Sequence, residues 1–303
     1  MLQKAGNLNI SSSAEVRSGV TPARSVERVI ASQPASAGSL PVRRALPTAG
    51  QRSVGPWVFL DHFGPATVRD GEDGVGPHPH AGIETVTYLL DGRNEHRDSA
   101  GHRGIVEAGG AQWMTAGRGV IHAERPLGRD GGQATVHGIQ LWTSLPRSMK
   151  LMPPAYRRLE ASAITETRLP GAVLRVVAGD VAGTRGPAEP LMPLFLAHLA
   201  LEPGASARLA VAPCFEAGAF VIAGEARVGG EAQAVRSGDL AVFGMGGDLA
   251  IANESDAPAE LMLLGGEAAE GPLVFHGPFV MNSLDQVRAA EVAYRTGRMG
   301  QLD

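Results

Sequence analysis

Glycine and proline interrupt this chain so often that long helices have nowhere to form. Forty glycines and twenty-one prolines make up about a fifth of the 303 residues, and both residue types disfavour helix interiors. Between the breaks lie short β-branched or alternating runs, among them Arg24–Ile30, Val42–Leu46, Trp57–Leu60, Ile83–Leu90, Val136–Thr143, Phe195–Leu201, Ala219–Ile222 and Leu261–Leu264. Runs of this length, bounded by turn residues, predict the strands of an all-β protein. One segment reads as a helix. Ser283–Arg298 has Ser283 as N-cap, Gln286 three residues on as in a capping box, and Gly297 near its end.

A chain of this length favours two domains. With 44% hydrophobic and 19% charged residues, each half can bury a core of its own. Residues 1–22 read as a loosely ordered extension, 23–150 as the first domain and 151–303 as the second, with a connector opening at Pro153-Pro154. Asp91-Gly92 predicts a hairpin turn between Ile83–Leu90 and Asn94–Asp98, and the acidic, glycine-rich Gly64–Gly76 predicts a surface loop. The net charge of −4 and the lack of a Lys/Arg run argue against direct nucleic-acid binding. Residues 1–15 lack a continuous apolar segment, so neither a signal peptide nor a membrane span is expected. Cys214 is the single cysteine, which excludes an intramolecular disulfide and a thiolate zinc cluster and suits a reducing, cytoplasmic setting.

Two pairs of residues carry the chemistry. His78 and His80 stand one residue apart, so on an extended segment both imidazoles point to the same face. His122 and Glu124 repeat that spacing after the glycine-rich turn Gly117-Arg118-Gly119. Two strands that each offer a same-face pair can surround one ion with three nitrogens and one oxygen. That donor set suits Fe(II), Mn(II), Ni(II), Cu(II) or Zn(II) and leaves positions open for water, dioxygen or substrate. His62, His96, His102, His137, His198 and His276 lack such partners in the sequence and read as surface, loop or satisfied core histidines.

A faint internal repeat tests the pattern. The turn at Gly92 matches the one at Gly224 at a shift of 132, and Gly110 matches Gly238 at a shift of 128. At these shifts His78 and His80 fall on Ala210 and Ala212, and His122 and Glu124 fall on Ala250 and Ala252. The second half keeps the frame without the ligands.

The stretches H-P-H-A-G-I-E-T-V-T-Y-L-L-D-G from His78, E-H-R-D-S-A-G-H-R-G from Glu95, Q-W-M-T-A-G-R-G-V-I-H-A-E-R-P from Gln112 and G-P-F-V-M-N from Gly277 resemble the pirin family of the cupin superfamily. The resemblance runs from about Ser25 to Gly300. It implies an all-β bicupin: two antiparallel β-barrel (jelly-roll) domains with a short C-terminal helix, the first barrel binding one divalent metal, usually taken to be Fe(2+). Carried over by motif, the ligands are His78, His80, His122 and Glu124, and Asp61 in Phe59-Leu60-Asp61-His62-Phe63 falls beside the metal pocket. His62 departs from the residues common at its position in relatives.

Members of this family divide between quercetin 2,3-dioxygenase-like enzymes and partners of transcription regulators or metabolic enzymes. The resemblance therefore implies a dioxygenase acting with O2 on a flavonol-like or related enolic or phenolic aromatic, with Glu124 as the catalytic proton acceptor. The alternative is a non-enzymatic regulator or redox sensor with a protein partner. Gln112, Trp113 and Met114 lie on the strand ahead of His122, so Gln112 and Met114 are expected at the pocket, although for Trp113 and Met114 core packing is the plainer reading.

Overall fold

The computed structural model describes residues 21–69, 74–128 and 132–302, and the N-terminal extension lies outside this range apart from its last two residues. The molecule is built almost wholly from antiparallel strands, as the frequency of chain breaks predicts. In the first half, Ala155–Leu159, Ala111–Thr115, Ile83–Asp98, Gln133–Ser144, Trp57–Arg69, Leu40–Leu46 and Gln33–Ala37 lie side by side. Opposite them, Val75–His80 pairs with Val120–Pro126, which pairs in turn with the far end of Ile83–Asp98.

That long strand corrects the expected hairpin. Ile83–Asp98 is continuous, and Asp91-Gly92 is a bend rather than a turn. Gly92 sits at φ 88°, where an L side chain is strained, and a Cβ there would collide with the Thr135 carbonyl. The bend lets one strand leave the large sheet and close the barrel with the small one. The expected loop at Gly64–Gly76 is also shorter than its composition suggests. Gly64–Arg69 completes the strand from Trp57, Val75 and Gly76 open the strand that carries His78 and His80, and residues 70–73 lie outside the described residues.

The second half repeats the plan. Its seven-stranded sheet runs Val26–Ala31, Asp239–Phe243, Glu216–Ala223, Ala259–Gly266, Leu194–Leu201, Ala172–Ala178 and Thr165–Leu169, facing a four-stranded sheet. Gly224, at φ 74°, separates Glu216–Ala223 from Glu225–Val228 where Gly92 bends the first half. The halves also trade edge strands. Val26–Ala31, early in the chain, pairs with Asp239–Phe243, whereas Ala155–Leu159 pairs with Ala111–Thr115. The two receiving strands are those related by the shift of 128, so the exchange is symmetric. Each exchange covers the backbone N–H and C=O groups of the receiving strand and passes the sheet edge to the incoming one.

The two large sheets pack against each other. Alternation along Ile83–Leu90 sends Val86 and Tyr88 to this interface, where they join Trp57, Leu60, Ile139 and Leu141 against Leu194, Leu196, Phe220, Met262 and Leu264. Trp57 donates its indole N–H across the interface to the carbonyls of Phe195 (3.3 Å) and Gly265 (3.1 Å), and Glu216 accepts from the Gly55 amide at 2.6 Å. Inside the second barrel Leu199, Leu201, Val221, Phe243 and Ile251 fill the space with apolar side chains.

The predicted helix forms as Leu284–Arg295. Ser283 accepts from the Gln286 amide at 3.2 Å, and the Gln286 side chain reaches back to the Asn282 amide at 2.9 Å. Its buried residues Val287 and Ala290 pack with Phe279, Met281 and Ile121, so the end of the chain returns to the first barrel. No helix among the described residues is long and apolar enough to cross a membrane.

Candidate metal centre

His78 and His122 sit directly opposite each other on the paired strands Val75–His80 and Val120–Pro126, and His80 follows two residues on, on the same face. Their Nε2 atoms converge. His78 Nε2 lies 2.9 Å from His122 Nε2 and 3.1 Å from His80 Nε2. The outer nitrogens of two rings meet backbone carbonyls, which only accept: His78 Nδ1 donates to Gly76 O at 2.8 Å and His80 Nδ1 to Pro278 O at 3.1 Å. Each of these rings therefore carries a proton on Nδ1, and the neutral form of each presents a bare Nε2. Bare lone pairs crowded together repel one another unless a cation sits among them, and imidazole is a common ligand of divalent transition metals. Burial, with His78 alongside, pushes His80 down to about 3. Burial likewise holds His122 well below its usual value, so both stay neutral and available as ligands. Among the described residues these three form the one cluster able to hold a metal ion.

Glu124, the fourth sequence-derived ligand, shares the cavity but stands apart from that cluster. Its Oε1 accepts from Thr87 Oγ1 at 2.9 Å, from Asn94 Nδ2 at 3.4 Å and from Gln112 Nε2. Gln112 thus acts on the site through Glu124 and is itself 3% exposed. Met114 does not line the cavity. It packs with Val58, Ile83, Ala116 and Val120 in an apolar cluster beside the cavity, two residues further along the strand than Gln112.

Asp61 lines the cavity as expected and takes two hydrogen bonds from Arg44, at 2.8 and 2.7 Å. Burial nevertheless keeps its carboxyl above the usual range. The Arg44 guanidinium lies 4.5 Å over the Phe59 ring, Phe59 stacks on Trp142 at 4.0 Å, and Trp142 meets His80 edge-on at 4.8 Å. The cavity measures about 470 Å³ and is otherwise walled by Leu40, Val42, Phe63, Val136 and Phe275. That volume falls in the ordinary range for a small-molecule site.

Several histidines set aside on sequence have partners. His62 Nε2 lies 2.8 Å from His137 Nε2, Tyr88 Oη lies 3.2 Å from His198 Nδ1, and His198 Nε2 is 3.2 Å from Glu260. His96, 1% exposed, lies behind His122 and contacts Asp98. A signal for this last pair was present, since His96 and Asp98 share the i, i+2 spacing of the ligand pairs and lie opposite Glu124 and His122 in the sheet.

Residues 39–143 match the family model for pirin, and residues 196–300 match the model for the pirin C-terminal cupin domain. The chain belongs to the pirin family. It is 31% identical to human pirin over 263 residues, covering 86% of this chain and 88% of the human protein. A Vibrio cholerae protein described as a candidate quercetin 2,3-dioxygenase is 34% identical over 284 residues, covering 92% of this chain and 98% of that one. The crystal structure of quercetin 2,3-dioxygenase from Acinetobacter baumannii superimposes with a TM-score of 0.83 at 28% identity, covering 91% of each chain. The two-barrel cupin architecture of this pirin is thus shared with a protein named quercetin 2,3-dioxygenase.

Proposed function

We propose that this pirin is a metal-dependent dioxygenase of the quercetin 2,3-dioxygenase type, acting with O2 on a flavonol-like or related enolic or phenolic aromatic in the first barrel. The observation that carries this reading is the placement of three converging imidazole Nε2 atoms and the Glu124 carboxylate in one largely apolar cavity of about 470 Å³. His78, His80 and His122 would hold the ion, most simply Fe(2+), with Glu124 as the fourth ligand. Bound there, the ion supplies a Lewis-acid and redox centre.

The chain's own residues do the rest. The donors Thr87, Asn94 and Gln112 occupy Oε1, so Oε2 is the oxygen that would meet the ion and, once free of it, would take the proton of the substrate hydroxyl. Leu40, Val42, Phe63 and Val136 exclude water and receive the flat rings, and the Phe59–Trp142 stack forms an aromatic wall. The exposed thiol of Cys214 suits a reducing compartment, in keeping with a cytoplasmic setting.

The test is anaerobic loading with Fe(II) followed by addition of quercetin and air, with oxygen uptake and loss of flavonol absorbance as readouts. Turnover above free metal that Glu124→Ala abolishes is the expected result. No turnover above free metal, or full turnover in Glu124→Ala, overturns the reading.

A further inference from the structure

Behind the metal-facing side of His122 runs a chain of polar groups that reaches the protein surface. His122 Nδ1 lies 3.4 Å from His96 Nδ1, His96 Nε2 lies 3.1 Å from Asp98 Oδ2, and Asp98 Oδ2 lies 2.9 Å from Nδ1 of the partly exposed His102. The Tyr156 ring stacks on His96 at 4.4 Å and 10°, which fixes the plane of the imidazole. Donor and acceptor roles along this chain are set from its carboxylate end. A carboxylate only accepts, so His96 must carry its proton on Nε2. In neutral His96, Nδ1 is then bare and accepts, so His122 carries its proton on Nδ1. That leaves His122 Nε2 bare, the same state that backbone carbonyls impose on His78 and His80.

We propose that Asp98 and His96 are positioning residues that set the tautomer of His122 and thereby complete the three-imidazole metal centre. This inference rests on the reading that the three imidazoles hold a metal ion, and it concerns residues that touch neither ion nor substrate. Among the described residues, His122 Nδ1 meets His96 and no backbone carbonyl. Its outer nitrogen faces another histidine, and that histidine is itself ambiguous until a carboxylate fixes it.

Asp98→Asn makes a specific and counterintuitive prediction. Asp98 Oδ1 accepts from the amides of Ala100 and His102, both at 3.0 Å, and an Asn oxygen serves there equally well. Its nitrogen then takes the place of Oδ2 and donates to His96 Nε2. His96 must move its proton to Nδ1, His122 must give up the proton on its own Nδ1, and His122 Nε2 becomes protonated and unable to bind metal. His96→Phe keeps the stack on Tyr156 but removes both nitrogens, leaving His122 free to adopt either tautomer.

The experiment is long-range ¹H–¹⁵N spectroscopy of ¹⁵N-histidine-labelled, metal-free full chain, paired with Co(II) titration followed by its ligand-field bands. In the wild type, His122 should be protonated on Nδ1 and His96 on Nε2, and both assignments should invert in Asp98→Asn. Co(II) affinity should fall at least about tenfold in Asp98→Asn, the scale of a lost outer-shell partner, and fall less in His96→Phe. A purely structural role predicts the opposite order, because Asn is the near-isosteric change. A wild-type His122 protonated on Nε2, an unchanged tautomer and Co(II) spectrum in Asp98→Asn, or a greater loss in His96→Phe each overturns the proposal. Should Asp98→Asn fail to fold, the wild-type tautomers decide it alone. Failure of the wild type to bind Co(II) would overturn the metal reading and leave the tautomer measurement standing as a separate result.

Discussion

His78 and His122 face each other across one rung of an antiparallel pair with their Nε2 atoms 2.9 Å apart, close enough for both to bind one cation. A cation held between them would be bound by the folded state and not by the unfolded chain, so it should stabilise the fold. Titration with Co(II) or Fe(II) should raise the melting temperature of the metal-free protein, by the equivalent of about 2.7 kcal/mol at a hundredfold excess over the dissociation constant. His122→Ala should remove the shift. A metal-induced shift of equal size in that variant would show that the ion binds elsewhere.

Acid should weaken the protein before its carboxylates titrate. Burial, with His137 beside it, pushes His62 from 6.5 down to about 4. As pH falls below about 6.5 the unfolded chain takes up this proton first, so stability declines until the folded form also protonates near pH 4. His62 alone should contribute up to about 3 kcal/mol of this loss, at 1.36 kcal/mol per pKa unit. Denaturant midpoints measured from pH 7 to 4 should therefore fall less steeply in His62→Gln, which keeps a side-chain partner for His137. An unchanged slope would assign the acid sensitivity to other groups.

Gly92 and Gly101 make a matched pair. Both have left-handed backbones, at φ 88° and 92°, but a Cβ at Gly92 meets the Thr135 carbonyl while one at Gly101 meets nothing within 4 Å. Gly101→Ala should cost about 1 kcal/mol of backbone strain. Gly92→Ala should cost more than twice that in equilibrium unfolding and should also weaken metal binding, because the bend carries Asn94 and His96 to the site. Equal costs would mean that the strand can shift to relieve the collision.

The halves are joined by polar contacts as well as by apolar packing. Glu216→Ala leaves the Gly55 amide without its 2.6 Å partner at the interface. Orphaning a buried donor costs about 1–3 kcal/mol. Urea unfolding followed by tryptophan fluorescence, to which Trp57 at the same interface contributes, should register a loss in that range.

Much of the site could be read from spacing alone. In a strand the side-chain period is two, so H-x-H and H-x-E place their side chains on one face wherever the strands finally lie. The repeat likewise revealed a second half with alanines at the ligand positions, and the structure fills that barrel with leucine, valine and phenylalanine. Local pattern misled where a glycine had more than one use. Asp91-Gly92 carries the chemistry of a tight turn, yet its left-handed glycine bends one continuous strand between two sheets. Met114 followed Gln112 onto the same face, but how far along a barrel a residue sits is not contained in alternation.

The sequence by itself determined the strand-rich class, the duplication, the three imidazoles and the carboxylate, because each depends on residue type and on a period of two. Only the tertiary structure decided which segments meet. It placed Val26–Ala31 on the second half's sheet and Ala155–Leu159 on the first's, brought Pro278 back to His80, and set His96 and Asp98 behind His122. Register and strand exchange join residues far apart in the chain, and such pairings depend on edges and faces that exist only once the sheets have formed.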